Sequence, residues 1–154
     1  MTRVIVMVCL LAVFLSGCNT GPKMNYAAAN LVKAGGTVTL DGKPLPDAVV
    51  TFESPVDGTT ANGLTKSNGS YTLMFDSVMA GVAPGKKIVR ISTTKKVLGL
   101  NITEEGGGGE GADGKPKATE KATELVPVRY NKDSELTVEV TSGQTRYNFD
   151  LKSN

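Results

Sequence analysis

The sequence predicts an all-β protein built as one seven-stranded β-sandwich. Three observations point there: short runs in which apolar and polar residues alternate, glycine, proline and Asx pairs that punctuate those runs every few residues, and the lack of a sustained 3.6-residue period. A length of 154 residues suits a single domain with extra unstructured chain attached.

The elements follow in order from about residue 35. In "GTVTL", Val38 and Leu40 take one face and Thr37 and Thr39 the other, a half-buried strand with β-branched residues on its polar side. "DGKPLPDA" reads as a turn, with Asp41-Gly42 as the hairpin signal and two prolines that cannot donate to a ladder. "AVVTFE" is the next strand, placing Ala48, Val50 and Phe52 together, and "SPVDGTT" is a loop. "NGLTKSNGSYTLMF" reads as a hairpin turning at Asn68-Gly69, with Tyr71, Leu73 and Phe75 on one face of the return strand. Pro84-Gly85 breaks the chain before "KIVRIST", where Val89 and Ile91 are in phase. "ELTVEVTSGQTRYNFDLK" reads as a closing hairpin: Leu136, Val138 and Val140 share a face, as do Tyr147, Phe149 and Leu151. Residues 100–125 are rich in Gly, Glu and Lys and nearly free of apolar groups, so a flexible loop is expected there.

Composition narrows the function. The chain holds 17 basic and 15 acidic residues, a balance with no broad field for nucleic acid, so DNA and RNA are excluded as partners. No histidine is present, which removes the usual neutral-pH proton shuttle, the triad base and the commonest metal ligand. No catalytic set, cofactor site or metal site is therefore expected. Lys66 beside Ser67, and Ser92 near Lys95 and Lys96, are serine–lysine juxtapositions of the kind common on solvated strand ends; a catalytic lysine would need burial to lower its pKa. Lys86, Lys87, Arg90, Lys95 and Lys96 form a candidate basic contact patch, to be weighed against basic residues that merely discourage strand-edge pairing.

The first residues are of a different kind. Arg3 supplies a positive start, residues 4–15 are an unbroken apolar run, and Ser16-Gly17 are small, which together make an export signal. A permanent membrane helix needs about 20 apolar residues, so this run is too short to be one. "LSGC" at 15–18 resembles the lipobox of bacterial lipoproteins. That resemblance implies cleavage between Gly17 and Cys18, acyl chains on Cys18, and a palmitate-bearing anchor in a membrane. Asn19 after the cysteine leans toward the outer membrane in that comparison. The expected organisation is a signal peptide at 1–17, a lipidated tether at 18–34 and the sandwich at 35–152. Cys9, the other thiol, belongs to the apolar run, so no disulfide is available to the body.

"GTVTLDGKPLPDAVVTFES", "ANGLTKSNGSYTL" and "APGKKIVRIS" resemble, in order, the segments of the carboxypeptidase regulatory-like domain, and the closing "VPVRYNKDSELTVEVTSGQTRYNFDLKS" is similar to small lipoproteins of this type from planctomycetes. The resemblance implies a transthyretin-like (prealbumin-like) Greek-key sandwich. Asp47 stands where that family prefers glycine, Lys87 where it prefers tyrosine, and Lys66 and Asn68 replace acidic positions of its turn, which argues against calcium there. A transthyretin-like hydrolase would need histidines and a different C-terminal end. The function expected is a non-catalytic, lipid-anchored cell-envelope module that binds an envelope protein or serves structurally. A surface carbohydrate-binding accessory module is the alternative; the core-phased aromatics disfavour it, leaving only Tyr26 and Tyr130 for exposure.

Overall fold

Eight strands and one 3-10 turn make up the fold, seen in a computed structural model that describes residues 29–97, 99–101 and 123–154. The leader at 1–17, the cleavage and lipidation positions Gly17 and Cys18, most of the tether at 18–34 and most of the loop at 100–125 lie outside the described residues. The strands are β1 (Gly35–Leu40), β2 (Lys43–Pro44), β3 (Val49–Glu53), β4 (Thr60–Leu64), β5 (Ser70–Thr72), β6 (Gly85–Ser92), β7 (Thr137–Val140) and β8 (Phe149–Leu151), with the 3-10 turn at Val128–Tyr130 before β7. Seven of them stand at the expected places. The eighth, β2, lies in the stretch read as a turn, and Pro44 is tolerated there because β2 is an edge.

Two four-stranded sheets form. In sheet one β1 is central: β2 and β5 pair with it antiparallel, and β8 pairs with it in parallel. Sheet two runs β4-β3-β6-β7 and is antiparallel throughout. Asp41 (φ +52°) and Gly42 (φ +79°) join β1 to β2 with the paired positive φ values that a tight hairpin's right-handed twist requires.

Of the other two expected hairpins, one forms and one does not. The chain reverses at Asn68-Gly69, with the Lys66 amide donating to the Ser70 carbonyl at 2.8 Å and Asn62 exchanging backbone hydrogen bonds with Met74 at 2.9 and 2.8 Å, yet the arms serve different sheets: β4 also pairs with β3 in sheet two and β5 with β1 in sheet one. The closing pair is not a hairpin: β7 ends in sheet two and β8 belongs to sheet one. Alternation specifies which side chains face inward. It does not say whether the next strand lies beside its predecessor or crosses to face it, because both arrangements bury the same residues.

The core sits between the sheets. Phe52 of sheet two meets Tyr147 edge-on at 5.5 Å and Phe149 at 6.2 Å, and Tyr71 stacks on Phe149 at 6.5 Å. Val38, Val50, Leu73, Val89, Ile91 and Leu151 fill the remaining space, all fully buried. Glycine is demanded at position 36, where a Cβ would lie 1.9 Å from the Tyr147 carbonyl oxygen. Val32 exchanges two backbone hydrogen bonds with Val82, both 2.9 Å, and Ala34 is buried, so residues 32–34 pack on the body rather than continuing the tether. Val49 and Thr51, on the outward side of β3, are buried as well, because chain beyond β6 returns over that side.

Candidate functional site

β6 distributes the basic residues by its two-residue period. Lys87 shares the inward side with Val89 and Ile91 and is only 4% exposed, its Nζ donating to the Pro84 carbonyl at 3.4 Å. Lys86 is exposed and Arg90 half-buried on the opposite side. Arg90 Nε donates to Glu53 Oε2 at 2.9 Å, and its guanidinium also reaches the carbonyls of Asn131 (3.0 Å) and Lys132 (2.6 Å). Lys95 Nζ donates to Thr51 Oγ1 at 2.7 Å, and Thr51 in turn donates to Asn62 Oδ1 at 2.8 Å. Burial lowers the Lys95 pKa, with nearby Glu53 opposing and Arg90 reinforcing that shift. Lys96 is exposed. Arg90 and Lys95 thus gather with Glu53, Thr51 and Asn62 on the outer side of sheet two, while Lys87 turns away to the other side of β6.

Glu124 anchors the neighbouring chain. Its carboxylate accepts from Ser92 Oγ (2.5 Å), Thr93 N (2.9 Å), Thr93 Oγ1 (2.8 Å), Thr94 Oγ1 (2.9 Å) and Asn131 Nδ2 (2.8 Å). Partial burial alone would raise its pKa, but the Ser92 hydroxyl and the amides of Thr93 and Val126 outweigh it and hold the group at about 2. A carboxylate with every lone pair engaged is a clasp between the end of β6 and the chain entering the 3-10 turn. It is not poised as a base.

The same geometry speaks to the serine–lysine pairs. Ser92 Oγ donates to Glu124 and accepts the backbone N–H groups of Thr94 and Lys95, so the lysine amines do not activate it. Among the described residues no group of three or more His, Cys, Asp or Glu side chains could hold a metal ion. Asn68 instead caps its own turn, accepting from the Ser70 amide and hydroxyl at 3.0 and 2.7 Å. Tyr130 packs half-buried against the core with the Arg129 guanidinium 4.8 Å from its ring centre, which leaves no open aromatic platform there; Tyr26 lies outside the described residues.

Among the described residues two concavities bear on function. One, of about 110 Å³, is lined by Asn62, Met74, Phe75, Asp76, Val97 and Leu100 among others, and is small beside the roughly 300–1,000 Å³ of ordinary ligand pockets. The other, of about 290 Å³, lies on the outer side of sheet one and includes Lys66 and Arg146. Neither the Glu124 clasp nor this trough was foreseeable. Glu124 meets its partners across some thirty residues of sequence, and Lys66 and Arg146 are brought together only by the pairing of β1 with chain from two distant segments. No family model, curated protein or solved structure matches the chain.

Proposed function

We propose that this chain is a non-catalytic, lipid-anchored module of the bacterial cell envelope, outer membrane favoured, whose sandwich is of the seven-stranded Greek-key, transthyretin-like type found in carboxypeptidase regulatory-like domains. Its role is to present a surface to an envelope protein or to serve structurally. The observation that carries the proposal is the "LSGC" stretch ending at Cys18, placed directly after a short apolar run. Acyl chains there would each add roughly 0.8 kcal/mol of membrane affinity per buried methylene, so two or three chains hold a protein in place. Supporting it, the polar side chains best placed for chemistry are engaged structurally: Ser92 and Glu124 with each other, Arg90 with Glu53, Lys95 with Thr51.

Cell fractionation tests the anchor. Cys18→Ala should move the protein from the membrane to the soluble fraction and remove the acyl mass from the intact molecule; unchanged sedimentation would refute lipidation. Crosslinking in cells followed by mass spectrometry tests the partner, with one dominant envelope protein expected and a consistent lack of any crosslinked protein counting against it.

A further inference from the structure

Gly35 pairs with Thr72 on one side and bridges Arg146 on the other. Adjacent strands lie about 4.8 Å apart, so the side chains of Thr72 and Arg146 rise roughly 10 Å from each other. Between them Gly35 offers only backbone. That glycine is held in place by close packing, since a Cβ would stand 2.4 Å from the Tyr71 carbonyl oxygen. A trough results, floored by Gly35 and Gly36, walled by the hydroxyl residues Thr37, Ser70, Thr72 and Thr145, and flanked by Lys66 and Arg146.

The flanking groups are free to bind. Lys66 and Arg146 are exposed, and among the described residues neither pairs with a carboxylate; the ion pair seen there is Arg90 with Glu53, in the other sheet. The hydroxyls of Thr72 and Thr145 likewise have no partner among the described residues, whereas Ser70 and Thr37 donate to Asn68 and Asn148. Asp150, further along the same side, accepts from Thr39 Oγ1 at 2.6 Å and does not line the trough.

We infer that this trough binds an acidic polysaccharide, its carboxylate or sulfate groups meeting Lys66 and Arg146 and its hydroxyls meeting the threonines. The shape and lining select that ligand. The one aromatic residue in the lining, Tyr71, is buried, so no ring is available to stack a neutral sugar. Insertion into lipid would need exposed apolar side chains, and the exposed Val56 and Val78 are not part of this surface. Two cations separated by hydroxyls match acidic groups spaced along a hydroxylated chain, and repeated units raise the avidity of a modest single contact. The inference does not depend on lipidation at Cys18.

The test is calorimetric titration of the full chain, in neutral detergent, with a heparin-derived hexasaccharide. Binding should be measurable at low salt and weaken as salt screens the charges. Lys66→Gln and Arg146→Gln should each cost about tenfold in affinity, and the double variant about a hundredfold, with unchanged denaturation midpoints because both side chains are exposed. Lys86→Gln with Lys96→Gln should leave binding intact. The inference is overturned by undiminished affinity in the Lys66/Arg146 double variant, by equal binding of a neutral maltohexaose, by no binding at low salt, or by preference for phosphatidylglycerol vesicles over the hexasaccharide.

Discussion

Asp47 holds its backbone at φ +56°, in the left-handed region that an aspartate enters only at a cost, while its N–H donates to the Thr65 carbonyl at 3.0 Å. Glycine would keep that hydrogen bond without a Cβ, which gives a physical reason for the glycine preference noted in the family the sequence resembles. Asp47→Gly should therefore stabilise the fold by about 0.5 kcal/mol despite glycine's looser unfolded chain; a lower urea midpoint would contradict this. At Tyr71 the expectation is opposite. Its hydroxyl donates to the Tyr147 carbonyl at 2.7 Å in a buried setting, and burial pushes its pKa well above the ordinary tyrosine value, so it stays a neutral donor. Tyr71→Phe removes the donor and leaves a buried acceptor, a loss of about 1–2 kcal/mol in denaturant titration. Both residues were visible in the sequence, Asp47 as a turn residue and Tyr71 as an inward one. The φ value and the hydrogen-bond partner were not, since each depends on chain far away in sequence.

Among the elements, the clasp at the end of β6 depends on pH in a direction the bonding dictates. Glu124 is held at about 2 against an ordinary value near 4.5, so its contribution is fully present above pH about 4.5 and is lost as pH falls through 2. The carboxylate is only half-buried, and after solvent screening the contribution is on the order of 1 kcal/mol. Glu124→Gln should lower the neutral-pH stability by about that amount and converge with the wild type near pH 2, as read by urea midpoints at several pH values. Asp57, which Ser54 and Thr59 also hold at about 2, contributes to the acid limb of both proteins, so the difference between the two curves is the measurement. The strands that surround the clasp were legible because β-branched and apolar residues repeat at period two between strong turn signals. Their partners were harder to read: β4 and β5, and β7 and β8, are neighbours in sequence that belong to different sheets.

At the scale of the molecule, those crossings bind the two sheets into one unit. Phe52 reaches from sheet two into the aromatic group of Tyr147 and Phe149 and is fully buried. Phe52→Ala should cost about 3–5 kcal/mol and unfold both sheets in a single transition, since neither sheet keeps a dry face without the other. Separate transitions by two spectroscopic probes would show that the sheets are less coupled than their packing implies. The sequence by itself determined the all-β class, the turn positions and most of the inward residues, because burial on one side of a strand must be written at every second residue; Phe75, expected inward with Tyr71 and Leu73, instead lies half-buried beside the smaller concavity, past the end of β5. Only the tertiary structure decided which strands pair, that Lys87 is enclosed while Lys66 and Arg146 flank a common trough, and that Glu124 closes on Ser92 and Thr93. Pairing and convergence arise from contacts between distant segments, and a local pattern carries no record of its distant partner.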